Sequence, residues 1–189
     1  GLRKCQYDAI VGLEQSFKNG EDRALMILAT GAGKTYTACM FSYRFLSYTP
    51  MRRILFLVDR NNLGKQAEGE FGTFRLTENG ESFTNIYSVN RLKSAKIPSD
   101  SNVVISTIQR LFSLLKGDEI SDTDDDDSYN THEVILPENP NLPHDFFDLI
   151  IIDECHRSIY GNWRKVLEYF DTAKIVGLTA TPIPDTKAF

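Results

Sequence analysis

Short apolar runs alternate with helix-like segments along most of this chain, and the alternation limits the folds that it can adopt. The runs are apolar throughout rather than at every second residue, which is typical of strands buried on both faces of a sheet. The clearest runs are 23–29, 52–59, 102–107, 147–154 and 174–180. Helical segments between successive strands favour parallel pairing. The pattern therefore predicts an α/β fold, with a mainly parallel sheet and helices on both faces.

The helical segments and one weaker run complete this outline. Apolar residues recur at helical spacing in 2–17, in the segment that ends at Leu46, in 63–74, in 108–115 and in 160–170. The weaker run, "FTNIYSV" at 83–89, is interpreted as a further strand. A chain of 189 residues can bury one sizeable core but is too short for two full domains. We therefore predict one domain over residues 1–189.

A glycine-rich loop, "ATGAGKT", stands between the first strand and its helix. Gly31 and Gly33 let the backbone bend so that N–H groups face a polyphosphate, and the helix N-terminus adds partial positive charge. Lys34 can reach the β- and γ-phosphates, and the Thr35 hydroxyl can hold Mg²⁺. Leucine replaces the first glycine of the full pattern, so a chance glycine turn followed by Lys-Thr is the alternative. The nucleotide-binding interpretation assigns Thr30, Gly31, Ala32, Gly33, Lys34 and Thr35 to the nucleotide.

Two adjacent carboxylates, Asp153 and Glu154, end the strand "FDLIIIDE". Neighbouring carboxylates at a buried edge repel each other and are costly to remove from water, so something must compensate them. If the glycine loop binds ATP, Asp153 can hold the Mg²⁺ and Glu154 can polarise the attacking water. A solvated acidic strand end is the alternative interpretation.

The formal charge of −5 is unevenly distributed. Residues 117–130 carry seven acids and no base, and without them 19 acids stand against 21 bases, a balance of +2. We predict that 117–147 is an acidic loop insertion and that 121–130 is mobile, since it has almost no apolar surface to bury. A calcium site is the alternative for these carboxylates, although the glycine turn of an EF-hand loop is absent.

Cysteine spacing and the lengths of the apolar runs limit the setting in which the chain works. The three cysteines are widely spaced, which fits neither a disulfide framework nor a zinc site and favours a reducing cytosol. The longest apolar runs are far shorter than the ~18 residues that a membrane span requires. A helical pattern starts almost at once after Gly1, so we expect a part of a longer cytoplasmic protein.

Three short motifs together resemble those of a known superfamily. "ATGAGKT", "DECH" and "TAT" occur in this order, each at a strand end. They are similar to motifs I, II and III of superfamily 2 helicases and DNA translocases, in which a small or apolar residue often replaces the first glycine. The resemblance implies a RecA-like P-loop NTPase domain that uses ATP and Mg²⁺. It also implies that Gln6, in "LRKCQYDAI", reads the adenine edge.

A narrower resemblance comes from the residues around these motifs. "FDLIIIDECHRSIYGNWRKVLEYFD", "LVDRNNLGKQ" and "STIQRL" closely resemble the motor subunit of type I restriction enzymes. This resemblance implies the first RecA-like motor lobe of a prokaryotic, ATP-dependent translocase of double-stranded DNA. It also implies a nuclease domain and a second RecA-like lobe in the same full-length chain, and methylation and specificity subunits as partners.

The resemblance also implies roles for residues outside the nucleotide motifs. His156 would link the nucleotide site to motif III, and Thr179 and Thr181 would relay the nucleotide state to the DNA side. Taken alone, these threonines are equally well explained as strand residues that cap a turn. The candidate contacts to the DNA backbone, each of which could instead be an ordinary cap or surface residue, are Arg60, Gln66, Thr107, Gln109 and Arg110.

An arginine finger commonly stabilises charge on the γ-phosphate during phosphoryl transfer. The resemblance implies that the second lobe supplies this arginine, with Arg157 as the local substitute. We therefore expect the chain alone to bind Mg·ATP weakly and to show almost no turnover. The alternative functions are a nucleotide-gated nucleic-acid sensor or scaffold and another superfamily 2 DNA or RNA helicase domain. A dinucleotide-binding fold fits less well because GxGxxG is absent after the first strand.

Overall fold

The computed structural model describes residues 2–29, 33–117, 135–155 and 161–180, and its centre is one parallel sheet. The strands are β1 (Arg23–Ile27), β2 (Ile54–Val58), β3 (Val89–Arg91), β4 (Val103–Thr107), β5 (Leu149–Asp153) and β6 (Lys174–Thr179). They lie in the order β1-β6-β5-β2-β4-β3, and every pairing is parallel. The predicted α/β fold with a parallel sheet is confirmed.

Helices cover both faces of this sheet. They are α1 (Lys4–Lys18), α2 (Lys34–Tyr48), α3 (Asn61–Thr73), α4 (Phe83–Ile86), α5 (Ile108–Lys116) and α6 (Gly161–Tyr169). One apolar cluster joins α1, α2, α3 and α4 to one face, and a second joins α5 and α6 to the other. The strands β2 and β4 are buried at every position, because both of their faces lie against helices.

The segment interpreted as a strand at 83–89 forms mainly a short helix, so this prediction was wrong. Residues Phe83–Ile86 form α4, and β3 begins only at Val89. Phe83 is completely buried and its ring packs edge-on against Phe71. One helical turn places this aromatic ring in the core, and four residues are too few to show a helical period.

The first strand is not buried on both faces as its apolar sequence predicted. It lies at the margin of the described sheet, next to β6 alone. Arg23 is exposed, and Ile27 retains 52% of its accessible surface. A continuous apolar run indicates a strand, but the order of strands in the sheet decides which of them is central.

Part of the predicted loop insertion at 117–147 is firmly attached to the domain. The Tyr169 hydroxyl donates to the carbonyl oxygen of Leu142 at 2.5 Å and accepts from the backbone N–H of Asn139 at 3.0 Å. Phe147 is buried, and its ring packs edge-on against Phe170. The acidic residues 118–134 lie outside the described residues, so their predicted mobility stays a prediction. In the described ranges no helix is long and apolar enough to cross a membrane.

Candidate functional site

Three neighbouring strand ends bring the motif residues to one edge of the sheet. β6 lies between β1 and β5, with Thr179 opposite Ile27 and Leu178 opposite Asp153. The backbone N–H of Leu28 donates to the carbonyl oxygen of Thr179 at 3.0 Å. In a parallel sheet all carboxyl ends lie at the same edge, where α/β proteins commonly bind ligands. The glycine loop and the acidic pair therefore begin about two strand spacings apart, roughly 10 Å.

Gly33 forms the turn from the glycine loop into α2. Its φ of 75° and ψ of 54° are left-handed, a conformation that favours glycine. A Cβ atom at this position would also lie 2.7 Å from the Nε2 atom of Gln6. The Gly33 carbonyl oxygen accepts from both the N–H and the hydroxyl of Thr37, which anchors the first turn. Glycine is therefore required here by conformation and by space.

Lys34 is the first residue of α2, and it is paired with both predicted carboxylates. Its Nζ atom lies 2.5 Å from Oε1 of Glu154 and 3.4 Å from Oδ1 of Asp153. The side chains of Lys34 and Asp153 are 19% and 16% exposed, whereas that of Glu154 is 38% exposed. The lysine thus supplies the compensating charge that two adjacent acids at a strand end require.

The backbone at Glu154 turns sharply away from the strand. Its φ of 54° is left-handed, which is uncommon for a residue other than glycine. Oδ1 of Asp153 accepts from the N–H of Glu154 at 3.1 Å and so holds this turn. Left-handed conformations of this kind cluster at functional sites, where the surrounding structure must maintain them.

Burial and charge shift the pKa values of this cluster. Burial would lower the pKa of Lys34, but its hydrogen bond to Glu154 and the charge of Asp153 raise the pKa overall. Burial raises the pKa of Asp153, and the charge of Glu154 adds to this against the opposing effect of Lys34. Glu70 on α3, which no sequence signal singled out, has a pKa raised by its burial and then by the charge of Asp153. The lysine therefore stays protonated between acids.

Gln6 lies directly against the glycine loop. Its Oε1 atom accepts from the Arg3 N–H at 2.9 Å, and its Nε2 atom donates to the Gly33 carbonyl oxygen at 3.3 Å. The side chain is 4% exposed. The predicted adenine reader is thus next to the loop that would hold the phosphates, and it fixes α1 to the start of α2.

Two of the remaining predicted nucleotide and coupling residues, Thr35 and Thr179, are among the described residues. Thr35 is half-buried in the first turn of α2, and Thr179 is buried between the ends of β1 and β5. Six residues with predicted roles lie outside the described residues, namely Thr30, Gly31, Ala32, His156, Arg157 and Thr181.

The five candidate DNA contacts differ in how exposed they are. Arg60 and Gln66 are exposed at the start of α3 and on its surface, so they remain candidates. Gln109 is half-buried. Thr107 and Arg110 are both 4% exposed, and their side chains serve the local fold. Thr107 caps α5 by accepting from the Arg110 N–H at 3.2 Å, and Arg110 Nη1 donates to the Leu92 carbonyl oxygen at 2.7 Å.

The assignment of Thr107 and Arg110 to the DNA backbone stays a prediction, although both side chains are held inside the domain in this conformation. A contact from Arg110 to a phosphate would require its buried guanidinium to leave the Leu92 carbonyl oxygen. The Ser-Thr pair at a strand-to-helix junction was a helix-cap signal, and the cap explains it.

Cys155 follows the acidic pair but lacks the properties of a nucleophile. It is completely buried, and its burial raises the pKa of the thiol to about 11. The pKa of Cys39 on α2 is raised well above its usual range, again by burial. Cys5 on α1 is exposed.

We expect a thiol reagent at neutral pH to modify one cysteine in the folded chain. Cys5 should react, whereas Cys39 and Cys155 should be protected because they are buried and their thiols stay protonated. Intact-mass spectrometry after a short treatment with N-ethylmaleimide measures this, and unfolding in urea should expose all three thiols. Cys5→Ser is the control and should leave the folded chain unmodified. Rapid modification of Cys155 would contradict the geometry described here.

A model of a known protein family matches nearly the whole of this chain. The family model ResIII, described as "Type III restriction enzyme, res subunit", matches residues 1–184. The chain belongs to this family. The predicted resemblance to type I restriction enzyme endonuclease subunits is confirmed by the sequence relatives of this ResIII chain.

Two sequence relatives of this ResIII chain are endonuclease subunits from Escherichia coli. The EcoKI type I restriction enzyme endonuclease subunit is 33% identical over 203 residues, covering 96% of this chain and 15% of the relative. The EcoAI subunit is 33% identical over 187 residues, covering 95% of this chain and 19% of the relative. The chain therefore spans less than a fifth of either relative.

Solved structures show the same fold. A nuclease-deletion mutant of the Type ISP restriction-modification enzyme LlaGI, in complex with a DNA substrate mimic, has a TM-score of 0.60 and 22% identity. The match includes 96% of this chain and 18% of the LlaGI chain. The Sulfolobus solfataricus SWI2/SNF2 ATPase core with double-stranded DNA also has a TM-score of 0.60, with 17% identity over 96% of this chain and 32% of that one. Both similarities support the predicted RecA-like fold.

Proposed function

We propose that this ResIII chain is the ATP-binding first motor lobe of a type I restriction-modification enzyme that translocates double-stranded DNA. The observation that carries the proposal is the placement of Lys34 between Asp153 and Glu154, next to the glycine turn. These are the residue types that phosphoryl transfer requires: a cation for the phosphates, a ligand for the metal and a carboxylate for the water.

The described residues fit Mg·ATP. Mg²⁺ prefers oxygen ligands, and the chain offers the Asp153 carboxylate at the end of β5 and the Thr35 hydroxyl in the first turn of α2, next to Lys34. The N-terminus of α2, which begins at Lys34, contributes N–H groups and partial positive charge for the phosphates. Gln6 provides an amide beside the same turn. Lys34, Asp153 and Thr35 would hold the phosphates and the metal.

Binding requires a change of partner at Lys34. Its ammonium group is bonded to Glu154 and lies close to Asp153, so it must exchange these carboxylates for phosphate oxygens. Asp153 would then be available to hold the metal, and Glu154 would be available to the attacking water. When bound, Mg·ATP supplies the γ-phosphoryl group whose transfer to water releases energy. Glu154, the more exposed acid of the pair, would orient that water and take up its proton.

The partners that we propose follow from the relatives rather than from this site. The relatives are endonuclease subunits of type I restriction enzymes, and one structural neighbour was solved with a DNA substrate mimic. We propose double-stranded DNA, methylation and specificity subunits, and a second RecA-like lobe with a nuclease domain in the same full-length protein. The relatives are five to seven times longer than the part matched here, which leaves room for these domains.

We expect the 189-residue chain alone to release phosphate at close to the background rate, with or without duplex DNA. Without the second lobe, the arginine that is worth about 10³–10⁵ in rate is missing. A steady-state phosphate-release assay tests this, with titration of a fluorescent ATP analogue as the control for a competent nucleotide site. Robust hydrolysis by the chain alone that DNA stimulates would contradict the two-lobe proposal.

A further inference from the structure

Five basic residues lie along one side of the edge that carries the nucleotide site. This group, which we call the basic strip, consists of Arg60, Lys65, Arg91, Lys93 and Lys96. Arg60 precedes α3 and its side chain is 62% exposed. Lys65 is exposed on α3, and Lys93 and Lys96 are exposed in the connection that follows β3. The strip includes residues that no motif singled out.

The sheet places the two ends of the basic strip on either side of α5. Val58 of β2 is paired with Thr107 of β4, so Arg60 emerges beside the start of α5. On the other side, the Leu92 N–H donates to the Ile105 carbonyl oxygen at 2.8 Å, which holds Lys93 next to the end of β4. Since neighbouring strands are about 4.8 Å apart, the backbones at Arg60 and Lys93 are separated by roughly 10 Å.

Two acids on the described segments next to the basic strip, Asp59 and Glu68, are paired with its arginines. Asp59 is 9% exposed, and its Oδ2 atom lies 3.7 Å from Nε of Arg60. Oε1 of Glu68 lies 3.5 Å from Nε of Arg91, whose side chain is only 15% exposed. Lys65, Lys93 and Lys96 are therefore in excess. This local excess of positive charge stands out in a chain whose net charge is −5.

A polyanion fits the basic strip better than a protein surface does. No large apolar side chain in 60–65 or 91–97 is exposed, because Leu92 is buried and Ile97 is half-buried. Protein interfaces usually have an apolar centre, and the strip offers only charge. Duplex DNA carries about one negative charge per 1.7 Å of helix axis, so a strip of roughly 10 Å faces about six charges.

We propose that Lys93 and Lys96 bind phosphates of the DNA backbone and so extend the contact surface that begins at Arg60. The proposal rests on the function proposed above, and it adds two exposed contacts next to the buried Thr107 and Arg110. Lysine is a flexible point charge, which suits phosphate contacts that carry no base information. Contacts of this kind hold any sequence equally, as a protein that moves along DNA requires.

The test is the salt dependence of DNA binding by the double variant Lys93→Ala/Lys96→Ala. Fluorescence anisotropy with labelled duplexes of two unrelated sequences gives the dissociation constant over a series of KCl concentrations. Each lost phosphate contact should reduce the slope of log K against log[salt] by about 0.9. We expect the slope to fall by about 1.8, with an equal loss of affinity for both sequences.

Lys18→Ala/Lys116→Ala is the matched control, because it removes the same charge at the opposite edge. Both lysines are exposed in the last turns of helices whose first turns lie towards the site edge. Circular dichroism melting should show that both double variants are folded. An unchanged slope in Lys93→Ala/Lys96→Ala, or an equal fall in the control, would overturn the inference and leave the proposed function standing. Absence of DNA binding by the unmodified chain would also overturn the inference, whereas failure to bind the fluorescent ATP analogue would overturn the proposed function.

Discussion

Replacement of Lys34 by alanine should abolish measurable binding of a nucleoside triphosphate. Lys34 is the cation held at the start of α2, and without it the phosphates would meet Asp153 and Glu154 with no compensating charge. A close charge-assisted bond contributes about 1.5–3 kcal/mol, and unscreened repulsion from two acids adds to its loss. We therefore expect affinity to fall by at least about 100-fold.

Titration with a fluorescent ATP analogue measures this loss directly. Lys18→Ala, which removes an exposed lysine from the far end of α1, should bind like the unmodified chain. Lys34→Ala also removes the cation beside Asp153 and Glu154, so its melting temperature must be compared with that of the unmodified chain. The variant Lys34→Arg keeps the charge and should bind better than Lys34→Ala. Equal affinity in the unmodified chain and in a folded Lys34→Ala variant would contradict the assigned role.

The site could be predicted from the sequence where each motif stood at the end of a strand. Gly33, Lys34, Asp153 and Glu154 were assigned from local patterns, and the sheet brings them into contact. The order of the strands was not predictable, since it depends on pairings between distant segments, such as that of Arg23 with Ile175. Because β6 lies between β1 and β5 in this order, Thr179 is placed between the end of β1 and the acidic pair.

Burial of individual strands and side chains was less predictable, for the same reason. The apolar run of β1 resembles that of β2, yet β1 lies at the margin and β2 at the centre of the described sheet. Arg110 is charged, and its sequence context pointed to the surface. The structure shows instead that the Arg110 guanidinium is buried and donates a hydrogen bond to the backbone carbonyl oxygen of Leu92, on the neighbouring segment. In both cases, contacts with segments that are distant in the sequence determine the burial.

The local positive charge of the basic strip could not be predicted from the sequence either. Two of its three lysines are dispersed among ordinary residues in "NRLKSAK", and the total charge of the chain is negative. The parallel pairing of β3 with β4 places this segment beside the start of α5, at the same edge as Arg60. Charge density at a surface is a property of the fold, and dispersed residues reveal it only when the strands are in place.

Replacement of Glu154 by glutamine should separate nucleotide binding from hydrolysis. Glutamine has nearly the same shape as glutamate but no charge, so it can occupy the left-handed turn and still accept a hydrogen bond from Lys34. Binding should be retained or slightly tightened, since one negative charge next to the phosphates is removed. Hydrolysis in the full-length motor should fall by about 10²–10⁴, the usual contribution of a general base.

Single-turnover hydrolysis in the full-length protein, together with the ATP-analogue titration, distinguishes the roles of the two acids. Glu168→Gln, which neutralises an exposed glutamate on α6, is the matched control and should hydrolyse ATP normally. A general base leaves binding intact when it is neutralised, whereas a residue that only positions Lys34 would weaken binding and hydrolysis together. If Glu154→Gln loses both binding and hydrolysis, the role of Glu154 is to position Lys34 and not to act as the base. If hydrolysis is undiminished, another residue is the base.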